Sequence, residues 1–166
     1  MDSERYYFKH ITGADIKFLE DMLYLAIYVV EGEIPLNREI IYHPDLYKYV
    51  DHWDNKKDLG YILVHQETNS QIGAVWLRPF EESNQGYGYI DKDIPELSIA
   101  IYPTHRGKGF GTQLMQHLIE NLPPVITTVS LSVDIRNPAK RLYERLGFKN
   151  YSIHDYTAIM KYDSSN

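Results

Sequence analysis

Cysteine is absent from the 166-residue chain, which excludes disulfides, thiolate metal sites and covalent catalysis through an enzyme thiol. No stretch approaches the roughly 18 consecutive apolar residues of a membrane span. The opening Met1-Asp2-Ser3-Glu4-Arg5 has neither the basic region nor the apolar run of a secretory signal. A cytoplasmic protein without membrane contact is therefore the expectation. Positive charge is also scarce: 17 Lys and Arg stand against 23 Asp and Glu, a formal net charge of −6. That balance argues against general nucleic-acid binding, which draws on a basic stripe. The seven histidines never fall at a two-histidine helical spacing, so no metal is expected. Repeats and low-complexity segments are lacking too, and the length suits a single domain over 1–166.

What the chain does have is one organising stretch. Leu97, Ile99 and Ile101 alternate as in a strand, and after Gly111 the apolar positions Leu114, Met115, Leu118, Ile119 and Leu122 recur at helical steps. The period changes inside Arg106-Gly107-Lys108-Gly109-Phe110-Gly111-Thr112. A helix opening there turns unpaired N–H groups and its positive dipole end toward the turn, and two basic side chains add charge. The turn reads as an anion cradle.

Around it, residues 6–11 read as a strand and Thr12-Gly13-Ala14-Asp15 as a helix cap. A helix to about Val30 follows, with one apolar face. Residues 36–53 read as short helices broken at His43-Pro44, and their Tyr42, Tyr47, Tyr49 and Trp53 suit either a substrate pocket or a core. Segments 60–65 and 71–80 alternate as a hairpin. The polar loop 81–93, containing Gly86-Tyr87-Gly88-Tyr89, reads as mobile and as a cover for a site. Residues 125–133 form an interior strand, Asn137-Pro138 opens a helix that Gly147 stops, and 148–151 and 156–162 are strands before a frayed tail at 163–166. This order is mixed α/β around a central sheet, with the strands at 96 and 125 as parallel neighbours.

Two common nucleotide loops fail on spacing. The P-loop requires Lys followed by Ser or Thr after its last glycine, whereas Thr112-Gln113 follows Gly111. The dinucleotide fingerprint separates its second and third glycines by two residues, whereas Gly107, Gly109 and Gly111 are evenly spaced.

Arg106 to Gly111 instead resembles the pyrophosphate loop of the GCN5-related N-acetyltransferases, and Asn137-Pro138-Ala139 with Leu142-Tyr143-Glu144-Arg145-Leu146-Gly147-Phe148 resembles their last conserved block. Asp58-Leu59-Gly60 and Gly73-Ala74-Val75-Trp76 look like segments of uncharacterised bacterial members. The resemblance implies an acyl-CoA fold, a mixed central sheet flanked by helices whose two central parallel strands splay apart. It implies acetyl-CoA as co-substrate, its pantetheine on the backbone of Ile99 and Ile101 and near Asn137, and its pyrophosphate on the turn from Arg106 through Gly107, Lys108, Gly109, Phe110 and Gly111 to Thr112. It further implies Tyr143 as the acid that protonates departing thiolate and Glu96 as the base, directly or through water. Glu33, Tyr89 and Asp91 are the alternatives for the base.

The implied activity is acetyl transfer to a primary amine of a small molecule, peptide or protein by direct attack. A cationic amine is the acceptor expected if Glu31, Glu33, Glu81, Glu82, Asp91 and Asp93 converge. A non-catalytic acyl-CoA binding or sensor module is the second reading and a nucleotide-binding protein the third; retention of both Glu96 and Tyr143 favours the enzyme. Oligomeric state and acceptor identity are open at the level of sequence.

Overall fold

The computed structural model describes residues 5–164; the opening residues 1–4 and the last tail residues 165–166 lie outside it. Seven strands make one sheet in the order β1-β2-β3-β4-β5-β7-β6. They are β1 (Tyr6–His10), β2 (Leu59–His65), β3 (Gln71–Arg78), β4 (Glu96–Ile101), β5 (Thr128–Asp134), β6 (Lys149–His154) and β7 (Thr157–Asp163). Every neighbouring pair is antiparallel except β4 and β5.

Strand alternation divides the apolar residues between the two faces of the sheet. On one face Leu63, Val75, Leu77 and Leu97 pack with Leu114, Met115 and Leu118 of α3 (Phe110–Glu120) and with Tyr143 of α4 (Ala139–Arg145). On the other, Ile62, Ala74, Trp76 and Ala100 pack with Leu19, Met22 and Leu23 of α1 (Ile16–Ala26). The central strands are thus covered on both sides.

The parallel pair is where the sheet opens. β4 meets β5 only at Glu96 opposite Ser130, with the Ser130 N–H donating to Pro95 O at 3.0 Å. Beyond that bridge the strands part. The direction of the β4 backbone follows from its other neighbour: Tyr102 N–H donates to Ile72 O at 3.0 Å, one position beyond the Gly73–Ile101 pair. Antiparallel pairing alternates, so Ser98 and Ala100 direct their backbone groups at β3, while Ile99 and Ile101 direct theirs into the gap.

Several local expectations shift. Thr12 and Asp15 form a reciprocal capping box on the 3-10 turn Gly13–Asp15, but α1 stops at Ala26, with Ile27 extended. The β-branched and aromatic run Ile27-Tyr28-Val29-Val30 gains little from a helix. The chain leaves the helix at Ile27 instead, and Tyr28 Oη donates to Arg136 O at 3.2 Å, tying this segment to the connection between β5 and α4. α3 opens one residue early, at Phe110. β5 begins at Thr128 rather than 125, because the Pro123-Pro124 turn, closed by Ile126 N to Pro123 O at 2.9 Å, leaves Val125 exposed. β6 extends through 152–154, and the chain turns at Asp155 (φ +53°) before β7 begins at Thr157. The tail is paired at Asp163, opposite Thr128, and Ser164 N–H donates to Thr127 O at 2.8 Å.

Candidate active site

The gap between β4 and β5 opens into two contiguous cavities of about 600 and 820 Å³. Ile99, Asn137 and Tyr143 line both and so mark their junction. The larger cavity runs to the glycine turn and the smaller to Glu96.

In the turn, Gly107 (φ +75°) and Gly109 (φ +84°) adopt the left-handed region, which side chains disfavour. A Cβ on either would meet no protein atom within 4 Å, so backbone conformation and the open space beside it, not crowding, call for glycine. α3 follows with no side chain capping its N-terminus, leaving its first N–H groups for a ligand. Gly109, Phe110, Gly111 and Thr112 line the cavity with Arg106. The Phe110 side chain is buried against Tyr6 and His105, so only its backbone is open to a ligand. Arg106 Nε donates to Ile101 O at 3.1 Å, clamping the turn to the end of β4 and occupying one carbonyl of the strand edge. Lys108 is exposed and outside the lining.

Asn137 Oδ1 accepts from Ala139 N at 2.9 Å just before α4, and the residue lines both cavities. Tyr143 is buried, and burial pushes its hydroxyl pKa up to about 12. That hydroxyl has no hydrogen-bond partner among the described residues.

At the acceptor end Glu96 is 4% exposed. Its Oε2 accepts from Tyr49 Oη at 2.6 Å and its Oε1 from Gly88 N at 3.0 Å. Burial raises its pKa to about 7, against the opposing effects of Tyr49, Gly88 and the more distant Lys48 charge. Each carboxylate oxygen retains a second lone pair for a proton.

The network extends outward. Tyr87 N donates to Tyr49 Oη at 2.7 Å, and Ser130 Oγ, across the single β4–β5 bridge, donates to Gly88 O at 2.7 Å. Loop 81–93 is accordingly held rather than mobile. Its glycines have a steric reason: a Cβ on Gly86 would strike Glu96 Oε1 and Tyr49 Oη, and one on Gly88 would lie 2.8 Å from Leu131 C and 2.9 Å from Ser132 N.

Of the aromatics that suit either a pocket or a core, Tyr49 is the one that bonds Glu96. β3 sets its position: Trp76 Nε1 donates to Tyr49 O at 2.9 Å and Arg78 Nη1 to Lys48 O at 2.8 Å. Arg78 is itself anchored by buried Asp58 at 3.2 Å. The Asp58 and Trp76 segments noted in the sequence therefore hold up the Glu96 site. Gly60 makes room there, since a Cβ on it would come 2.7 Å from Trp76 Cβ. Of the other aromatics, Tyr42 is half-exposed, Tyr47 Oη donates to Glu20 at 2.7 Å, and Trp53 lies under Arg78. The alternative bases Glu33, Tyr89 and Asp91 line neither cavity.

The chain is 36% identical over 78 residues to the [ribosomal protein bS18]-alanine N-acetyltransferase of Haemophilus influenzae, a match covering 43% of this chain and 53% of that relative. The aligned region thus spans about half the relative's length. Among solved structures, a point mutant of spermidine N-acetyltransferase SpeG from Vibrio cholerae superposes with TM-score 0.63 at 20% identity, over 98% of this chain and 96% of the other. The dodecameric structure of that enzyme in an intermediate state gives 0.61 at 20% identity over the same shares. Similarity at that identity speaks for the fold. The family pattern of the GNAT acetyltransferases matches residues 27–148, a span that takes in the Glu96 network, the glycine turn, Asn137 and Tyr143. The chain belongs to the acetyltransferase (GNAT) family.

Proposed function

We infer that this protein, acting as one domain over 1–166 in the cytoplasm, is an acetyl-CoA-dependent N-acetyltransferase that acetylates a primary amine by direct attack in a ternary complex. The observation that carries this reading is the groove itself. A buried carboxylate with a pKa near 7 stands at one end, a left-handed glycine turn opens a helix at the other, and an unpartnered tyrosine hydroxyl lies at the junction.

The residues fit acetyl-CoA. The Ile99 and Ile101 backbone supplies a strand edge for amides, the turn from Gly107 to Thr112 supplies N–H groups for phosphates, and Asn137 lines the space between. Bound there, acetyl-CoA supplies an activated acetyl group and a thiolate leaving group. Glu96 removes a proton from the incoming ammonium and passes it to solvent, with Tyr49 and Gly88 fixing both carboxylate oxygens. As the C–N bond forms and the C–S bond breaks, Tyr143 donates its proton to sulfur and recovers one from solvent. The second ammonium proton leaves to water, which closes the proton balance. With no cysteine in the chain, no acyl-enzyme through sulfur intervenes.

A thiol-release assay over an amine panel, paired with calorimetry of acetyl-CoA, tests the reading. Turnover with at least one amine is the expected result. Tight acetyl-CoA binding with no turnover on any acceptor would point to a binding module instead.

A further inference from the structure

The smaller cavity has a wall chemistry that narrows the acceptor. It is lined largely by apolar and aromatic side chains, among them Leu23, Ile40, Leu46, Tyr49 and Tyr87. The Tyr49 and Tyr87 rings lie near-parallel, 10° apart in plane with centroids separated by 6.4 Å. Only two carboxylates are in the lining, Glu96 and Asp134. Asp134 is already matched, its two oxygens accepting from Arg136 Nε at 2.9 Å and Nη2 at 2.7 Å.

The acidic loop residues do not change this count. Glu81, Glu82, Asp91 and Asp93 gather near Tyr89, whose pKa is raised by burial first and then by their charges. None of the four, and neither Glu31 nor Glu33, lines the cavity. One carboxylate without a cationic partner therefore faces a chamber whose walls are mostly apolar and aromatic, with His43, Ser98, Ser132, Asn137 and Thr157 as its other polar residues.

We propose that the acceptor is a small monoamine, a single primary ammonium on an apolar or aromatic body, with the ammonium at Glu96 and the body against the Leu23–Leu46 wall and the Tyr49 and Tyr87 rings. The proposal rests on the acetyl-transfer reading above. A cavity of about 600 Å³ is of the size that takes a small organic ligand. An ammonium is favoured both by the carboxylate and by aromatic faces. A polyamine would bring a second ammonium against this wall with no free carboxylate to receive it, and an unpaired buried charge is strongly disfavoured. An α-amino acid would set its own carboxylate beside Glu96. The transfer step is the one already balanced, with the monoamine as nucleophile.

The test uses the full chain with acetyl-CoA and four acceptors: 2-phenylethylamine, isoamylamine, spermidine and a lysine-containing peptide. Expected is a kcat/KM at least about tenfold higher for the two monoamines, together with calorimetric binding of 2-phenylethylamine to the protein without acetyl-CoA. Two variants probe the wall. Tyr87→Ala removes an exposed ring and leaves the backbone N–H that holds Tyr49, and should raise KM for 2-phenylethylamine about tenfold with kcat held. Leu36→Glu, at a half-exposed position of the lining, supplies the missing carboxylate and should shift the preference toward spermidine. Spermidine or the peptide as the best acceptor, or no change in either variant, would overturn the proposal while leaving acetyl transfer intact. Acetyl-CoA binding with no thiol release on any amine would sink the transfer reading and the proposal with it.

Discussion

Glu96 meets two opposed demands: the fold buries it, and the proposed chemistry needs it charged. Burial alone favours the neutral acid, and two hydrogen bonds to the carboxylate pull the other way. The balance falls near pH 7, where a base is half ready and still able to accept a proton. Because the carboxylate is the working form, kcat/KM should rise as pH increases through about 7, and Glu96→Gln should abolish that limb in a pH-rate profile. Tyr49→Phe removes a donor that stabilises the charged form. It should therefore move the limb to higher pH, a shift that a purely structural role for Tyr49 would not produce. Tyr143 answers a different demand. With a pKa near 12 its proton is in place throughout the working range, and Tyr143→Phe should lower kcat about 10²-fold with acetyl-CoA affinity, measured by calorimetry, little changed.

Elements that announce themselves locally were legible, and those fixed by distant partners were not. The capping box at Thr12, the glycine turn into α3 and the Asn137-Pro138 start of α4 depend on neighbours within a few residues, so periodicity and capping chemistry reveal them. Tyr49 reaches Glu96 across 47 positions and Tyr87 reaches Tyr49 across 38, and no local pattern encodes either contact. The same cause explains loop 81–93: its composition is that of a solvated loop, yet its glycines are there because Glu96 and the β5 backbone approach them. Glycine therefore does two different jobs here, and substitution should separate them. Gly109→Ala meets no protein atom but places a side chain at φ +84°, costing about 1–2 kcal/mol of folding stability, and it projects a Cβ into the space that the phosphates need. Acetyl-CoA affinity by calorimetry should fall. Gly88→Ala meets β5 backbone that cannot easily yield, so denaturant unfolding should show a loss of about 1–3 kcal/mol and activity should fall with it through displacement of Glu96.

At the scale of the whole molecule the sheet is two half-sheets, β1-β2-β3-β4 and β5-β7-β6, joined by one bridge at Glu96–Ser130. The bridge belongs to the site, since Ser130 Oγ also holds the Gly88 carbonyl. A strand-like ligand in the gap would complete the missing pairing along β4, and the alternation of that strand says which amides would report it. Ile99 and Ile101 face the gap, whereas Ser98 and Ala100 are committed to β3. Hydrogen exchange measured by NMR should therefore slow at Ile99 and Ile101 on addition of acetyl-CoA and stay nearly constant at Ser98 and Ala100. Binding should also stabilise the native state by linkage, about 2.7 kcal/mol at a hundredfold excess over Kd, raising Tm by about 5–11 °C for a chain of this length. Stabilisation without the alternating protection would place the ligand elsewhere on the molecule, and uniform protection of all four amides would mean that the whole sheet tightens rather than that the ligand adds to β4.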